Sequence, residues 1–207
     1  NVCHLSSMNF SNTGSSKQAV QSNVWTMGDG SVLQSNGFVK VYADTGKYTV
    51  KLKTTTIQGC TDSVSKQVQI FANPTADFNI NSSSQCLNQN RFVLSNTSTM
   101  YSGTITAYEW RLSDGYVSTK ANVVHSFPSV NTYSIKLITR SNNFCYDTIT
   151  KFVNVRPSPK SILQISAIEK CINTADSIAF NDVSTIDTSI ASRIWTLDPG
   201  ITKTLKQ

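Results

Sequence analysis

Charge is scarce in this chain. Asp, Glu, Lys and Arg together make up 14% of its 207 residues, and only two histidines are present. The net charge of +6 is not gathered into a basic stripe with interleaved aromatics, which is the footprint of a nucleic-acid binder. The lysines instead alternate with apolar residues, as in Tyr48-Thr49-Val50-Lys51-Leu52-Lys53, which reads as the solvated face of a strand. No Cys-x-x-Cys pair occurs and neither histidine clusters with a cysteine, so zinc is excluded from the reading. His4 stands beside Cys3, and a cysteine held in a disulfide is no nucleophile. His125 falls where the first repeat has Lys40, and no Ser/His/Asp spacing or carboxylate pair recurs, so the chain reads as non-enzymatic. No run of 18 apolar residues is present to span a membrane. A signal peptide is also missing, which for a chain opening on Asn1 beside a cysteine is expected to mean removal or truncation.

A long-period repeat is what the chain does have. Val24-Trp25-Thr26-Met27-Gly28-Asp29-Gly30 returns 85 residues on as Trp110-Arg111-Leu112-Ser113-Asp114-Gly115, and again 85 residues on as Trp195-Thr196-Leu197-Asp198-Pro199-Gly200. Cys60 and Cys145 keep the same step, and Cys3, Cys86 and Cys171 lie 83 and 85 residues apart. A period of this length describes whole domains in tandem rather than a short solenoid unit. The expected domains are 1–73, 74–157 and a partial third at 158–207. Pro74, Pro157 and Pro159 at the boundaries remove torsional freedom and predict stiff joints between neighbouring repeats.

Five cysteines in a low-charge chain point to an oxidising compartment. Each complete repeat holds two, so the expected bonds are Cys3–Cys60 and Cys86–Cys145, with Cys171 left unpaired in the partial third. Closing a loop of about 58 residues would stabilise each repeat by roughly 4 kcal/mol.

Within each repeat, short alternating runs separated by turn signals predict an antiparallel two-sheet sandwich. The fold class expected is all-β: tandem Ig-like sandwiches, two complete and one partial. Tyr48, Val50 and Leu52 share one face of a strand, as do Tyr133, Ile135 and Leu137. Val64, Lys66, Val68 and Ile70 also share a parity, with Lys66 the polar intruder. Trp25, Trp110 and Trp195 are expected to fill the space between sheets. Asp29-Gly30 and Asp114-Gly115 are tight turns, whose carboxylates are expected to accept hydrogen bonds from the turn's own backbone. Calcium is the alternative for these aspartates, although one carboxylate beside glycines falls short of the six to eight oxygens the ion prefers. No other cofactor is expected.

These residues resemble the PKD (polycystic kidney disease) repeat, whose hallmark is a Trp-x-Phe-Gly-Asp-Gly stretch followed by a tyrosine strand. The first repeat carries it as Trp25 to Gly30, Tyr42 and Gly46-Lys47-Tyr48-Thr49-Val50. The second carries it as Trp110 to Gly115, Phe127 and Asn131-Thr132-Tyr133-Ser134-Ile135, and the third keeps Trp195 with a degenerate turn. The cysteines, with Asp62 and Asp147 two residues beyond Cys60 and Cys145, are similar to the PKD-like arrays of large Bacteroidetes surface proteins. Gliding-motility adhesins and other cargo of the type IX secretion system are among these. The resemblance implies a β-sandwich in an extracellular or cell-surface protein, outer-membrane-associated if bacterial. It also implies a structural or adhesive spacer whose partners are neighbouring repeats, with surface polysaccharide or another cell-surface protein beyond them. The alternatives are a polysaccharide- or protein-binding module and an accessory domain of a secreted hydrolase. A glycan binder needs a row of solvent-facing rings, for which Tyr101, Tyr116 and Tyr146 are the spare aromatics.

Overall fold

In a computed structural model of the chain, residues 2–165, 179–186, 192–197 and 201–206 are described. Cys171 and the Asp198-Pro199-Gly200 turn lie outside the described residues. All regular structure among the described residues is β-strand. The first repeat supplies β1 (Val2–Cys3), β2 (Met8–Ser11), β3 (Val20–Thr26), β4 (Val32–Gln34), β5 (Gly37–Lys40), β6 (Gly46–Thr56) and β7 (Thr61–Phe71). Next come β8 (Pro74–Thr75), β9 (Phe78–Ile80), β10 (Ser84–Cys86), β11 (Phe92–Asn96) and β12 (Thr99–Met100). The second repeat continues with β13 (Ile105–Leu112), β14 (Val117–Ser118), β15 (Val123–His125), β16 (Asn131–Ser141) and β17 (Tyr146–Arg156). The last four are β18 (Leu163–Ile165), β19 (Phe180–Asp182), β20 (Ser192–Leu197) and β21 (Ile201–Lys206).

Two five-stranded sheets dominate, ordered β1-β7-β6-β3-β4 and β10-β17-β16-β13-β14, the same arrangement twice. Backbone packing divides the chain into one compact unit of Asn1–Ile80, Leu94–Val123 and Ser134–Lys151, and another of Asn81–Val93, Val124–Tyr133 and Phe152–Gln207.

In the first unit, β6 and β7 form a long antiparallel hairpin in register from Gly46↔Ile70 to Thr55↔Thr61. Each strand runs eleven residues, so the hairpin spans about 33 Å. The short β1 lies parallel to the far end of β7 and places Cys3 opposite Phe71. Facing this sheet is the β2–β5 pair, whose Phe10 and Phe38 stack at 5.3 Å. Both rings meet Trp25 edge-on, at 6.1 and 5.5 Å. The same unit holds the core of the second sandwich, where Phe78 of β9 meets the fully buried Trp110 of β13 at 5.0 Å and 75°. The two-layer packing expected from the alternation of the strands is therefore present in both repeats.

In the second unit, β10 runs parallel to β17 and sets Cys86 opposite Arg156. Phe127 stacks on Tyr133 at 4.0 Å and meets Phe92 edge-on at 5.5 Å. Farther along, β18 pairs with β19 and β20 with β21. Trp195 pairs in register with Lys203, eight residues on, as Trp25 pairs with Leu33 and Trp110 with Ser118. The backbone of the tryptophan hairpin thus recurs a third time.

Gly46 and Asn131 occupy equivalent positions, and the exchange of two residues that tolerate positive φ suggests a left-handed site in both. Gly46 has a φ of +151°, whereas Asn131 is not among the positive-φ residues. Gly28 is where glycine is required: its φ is +79°, and a Cβ there would sit 2.9 Å from the backbone N and O of Thr49.

Candidate functional site

Trp25 and Trp110 are 6% and 0% exposed, and each indole N–H donates to a carbonyl ten residues on, Ser35 and Lys120, at 2.9 Å. Trp195 is half-buried and lies 6.2 Å from Phe180. Tyr48 and Tyr133 repeat a second device. Their hydroxyls donate to the carbonyls of Asp44 and Ser129, at 3.0 and 3.1 Å, and their rings stack on Tyr42 and Phe127. Tyr42 donates to the Met27 carbonyl at 3.0 Å. Burial, with smaller contributions from Asp29 and Tyr48, pushes its phenol up to about 12.

The two aspartate turns close on themselves. Asp29 Oδ1 accepts from Ser31 N and Ser31 Oγ at 3.0 and 2.6 Å, while Oδ2 pairs with Lys40 Nζ at 2.8 Å. Asp114 Oδ1 accepts from Tyr116 N at 3.1 Å. Gly30 and Gly115 follow with φ of +88° and +94°, a conformation that glycine adopts without strain. Among the described residues, no three His, Cys, Asp or Glu side chains gather as a metal site would require.

Burial works against the charged form of Asp29, yet hydrogen bonds from Lys40 and Ser31 outweigh it and bring the carboxyl down to about 2. A folded-state value below the unfolded one means that the stabilisation is complete above about pH 4 and is lost as the pH falls toward 2. Thermal unfolding between pH 2 and 5 is therefore expected to show the first repeat losing stability on acidification. Lys40→Met should flatten that dependence, and an unchanged acid slope in the variant would refute the assignment.

The chemistry that distinguishes this chain sits where its two complete repeats meet. The expected bonds Cys3–Cys60 and Cys86–Cys145 are not formed; the structure joins Cys3 to Cys145, with the α-carbons 5.5 Å apart. Cys60 and Cys86 are free and exposed. The reason is the length of the hairpin. Cys3 lies beside Phe71, at one end of β7, and Cys60 immediately precedes Thr61, at the other. Ten residues of strand separate them by about 33 Å, far beyond the reach of a disulfide. Cys86 and Cys145 stand in the same relation to β17, one opposite Arg156 and the other just before Tyr146. The bond therefore crosses the joint instead of stapling one sandwich.

Polar contacts tighten the same joint. His4 N donates to the Phe71 carbonyl at 2.7 Å, and Asn73 Nδ2 donates to the His4 carbonyl at 3.2 Å. Beyond the joint, Ala76 N donates to Asp147 Oδ2 at 2.8 Å. Lys151 Nζ pairs with Asp77 Oδ1 at 2.8 Å and also donates to the Phe78 carbonyl at 2.5 Å. Lys151, together with the Phe78 N–H, holds the Asp77 carboxyl below the usual carboxylate range. Asp147 and Lys151 thus grip the incoming segment 76–78, and Cys145 fastens Cys3 of β1, which lies beside the end of β7. In the sequence the grip is signalled only by Lys66, the lysine on the inward parity of the last strand of the first repeat.

Of the spare aromatics, Tyr101 and Tyr146 are 93% and 63% exposed, while Tyr116 is half-buried. Phe144, missed as a spare ring, is 88% exposed on the turn that carries Cys145.

The PKD domain family matches the chain twice, at residues 1–72 and 71–156. Among solved structures, the PKD1 domain of the Vibrio cholerae metalloprotease PrtV is similar at 26% identity, covering 40% of this chain and 96% of that domain with a TM-score of 0.37. The PKD1 domain of Vibrio anguillarum Epp is similar at 20% identity, covering 42% and 96% with a TM-score of 0.38. A Bacteroides ovatus mixed-linkage glucan utilisation protein, SGBP-B, in complex with a heptasaccharide, shares 13% identity over 98% of this chain and 61% of its own, with a TM-score of 0.32. No curated protein matches the chain.

Proposed function

The chain belongs to the PKD domain family, and from that premise we propose that it is a non-catalytic spacer within a larger secreted or cell-surface protein, its repeats locked in series by sulfur. The domains of the spacer are 1–73, 74–157 and 158–207, and its partners are neighbouring repeats. The observation that carries the reading is the Cys3–Cys145 bond, which joins the first strand of one repeat to the hairpin turn of the next. Beyond stabilising the second repeat, a bond between neighbouring domains removes bending freedom from the series. A role in bacterial surface adhesion or gliding motility, with type IX export, agrees with the resemblance of the cysteine pattern.

Backbone ¹⁵N relaxation on the intact chain tests the reading. Residues 2–72 and 74–156 are expected to share one rotational correlation time when oxidised and to tumble separately in Cys3→Ser. Independent tumbling in the oxidised chain would remove the rigid-spacer reading.

A second reading, polysaccharide binding, is favoured by the exposed rings of Tyr101, Phe144 and Tyr146 in one repeat. Aromatic faces at a protein surface suit sugar rings. Saturable oligosaccharide binding that is lost in Tyr101→Ala would support it over a purely structural role.

A further inference from the structure

The first repeat carries a groove of about 760 Å³ that the second repeat has filled. It runs between β2 and the β6–β7 hairpin and is lined by Phe10, Trp25, Leu52, Val64 and Lys66, with Asp62 and Cys60 at its end. In the second repeat the corresponding strand, β11, pairs along one edge with β9, Leu94 opposite Ile80 and Asn96 opposite Phe78. The first repeat has no such strand among the described residues: β2 pairs with β5 in a two-stranded sheet, and its other edge faces the groove.

Burial tells the same story. Along β17 the side chains alternate between exposed and covered, whereas β7, of matching pattern, is exposed over its first seven residues. Val64 is 52% exposed where Ile149 is half-buried, and Val68 is half-buried where Val153 is fully buried. Lys66 and Asp62 are exposed, while their counterparts Lys151 and Asp147 are partly covered by segment 76–78. Cys60 has the turn geometry of Cys145. Thr56 N donates to the Cys60 carbonyl at 2.9 Å as Ser141 N does to Cys145 at 2.8 Å, with Gly59 and Phe144 at positive φ before them. Cys86 in turn mirrors Cys3. Leu87 N donates to the Arg156 carbonyl at 2.7 Å as His4 N does to Phe71.

We propose that the groove, Lys66, Asp62 and Cys60 form a receiving site for another repeat of this family. An extended Ala-Asp-apolar-x-apolar segment enters beside β2 and completes its sheet by strand addition. Its aspartate pairs with Lys66, its alanine N–H donates to Asp62, and its apolar residue covers Trp25. A cysteine placed like Cys3 on the repeat that bears this segment bonds to Cys60. Cys86 is the opposite half of the same coupling and takes a hairpin cysteine placed like Cys145. Each bond forms by exchange with a small-molecule disulfide such as oxidised glutathione. The two protein thiols give up two protons and two electrons, the S–S bond of the oxidant breaks, and two glutathione thiols leave. The assignment stands whether or not the array serves as a spacer.

The test is the full chain preceded by a second copy of residues 1–83, which brings both a copied Cys3 and a copied 74–83 segment to the first repeat. After equilibration in a glutathione redox buffer, non-reducing peptide maps are expected to join the copied Cys3 to Cys60, with Cys3–Cys145 intact. A copied Cys3 that remains alkylatable beside an intact Cys3–Cys145 bond would overturn the proposal, as would a Cys60–Cys86 link. A shorter variant, with residues 74–83 alone placed before Asn1, reads the groove separately. Amides of its Ala-Asp-Phe-Asn-Ile stretch are expected to exchange at least about 100-fold slower than in a free peptide, and Lys66→Met should weaken that protection. Free-peptide exchange rates in that variant would dismiss the strand seat.

Discussion

Cys145→Ser is expected to lower the stability of the second repeat by about 4 kcal/mol. Its partner, Cys3, is held beside Phe71 in the folded first repeat. When the second repeat unfolds alone, the chain restrained by the bond therefore runs from about residue 72 to Cys145, and closing a loop of that length removes roughly 4 kcal/mol of unfolded-state entropy. For a domain of this size the loss corresponds to a fall in Tm of roughly 15–30 °C. Cys3→Ser should reproduce the effect, because it opens the same loop from the other side. Cys60→Ser and Cys86→Ser should leave Tm nearly unchanged, since both side chains are free and exposed. Calorimetry of the four variants decides the matter. An equal loss in Cys60→Ser would show that the hairpin cysteine of the first repeat is bonded after all.

Trp110→Ala is expected to cost about 3–5 kcal/mol, read by urea unfolding of the second repeat. The indole is fully buried, meets Phe78 edge-on and satisfies the Lys120 carbonyl. Removing it leaves a cavity between the sheets and a carbonyl without its donor. Trp25→Ala should cost less, because Trp25 has Phe10 and Phe38 beside it but nothing at the place of Phe78. A Trp25 loss as large as that at Trp110 would mean that the groove contributes no slack.

The tryptophans, the Asp-Gly turns and the tyrosine strands were legible because each is a local device: a large ring on an alternating strand, or a carboxylate two residues before the N–H it accepts from. Position in the period sufficed to place Trp25 and Trp110 in equivalent cores. The disulfide was not legible for the same reason. A period near 85 sorts Cys3, Cys86 and Cys171 into one class and Cys60 and Cys145 into another, and it implies that the bond joins one of each. It does not say whether the partners belong to the same repeat or to adjacent ones. That choice follows from two eleven-residue strands holding the classes at opposite ends of every sandwich. Lys66 is the instructive case. As the single charge on an inward parity it looked like an exception to the pattern, and Lys151 shows the position to be the clamp on an entering strand.

The bond between Cys3 and Cys145 also changes what happens to a chain pulled from its two ends. Tension arriving at Val2 passes through two sulfur atoms and continues from Tyr146, bypassing the polypeptide between. The 142 positions spanned by the bond carry no load, and about 500 Å of extensible length stays locked away. Reduction releases that reserve, so the thiol–disulfide state of the surroundings sets how much of the chain between Cys3 and Cys145 can be drawn out.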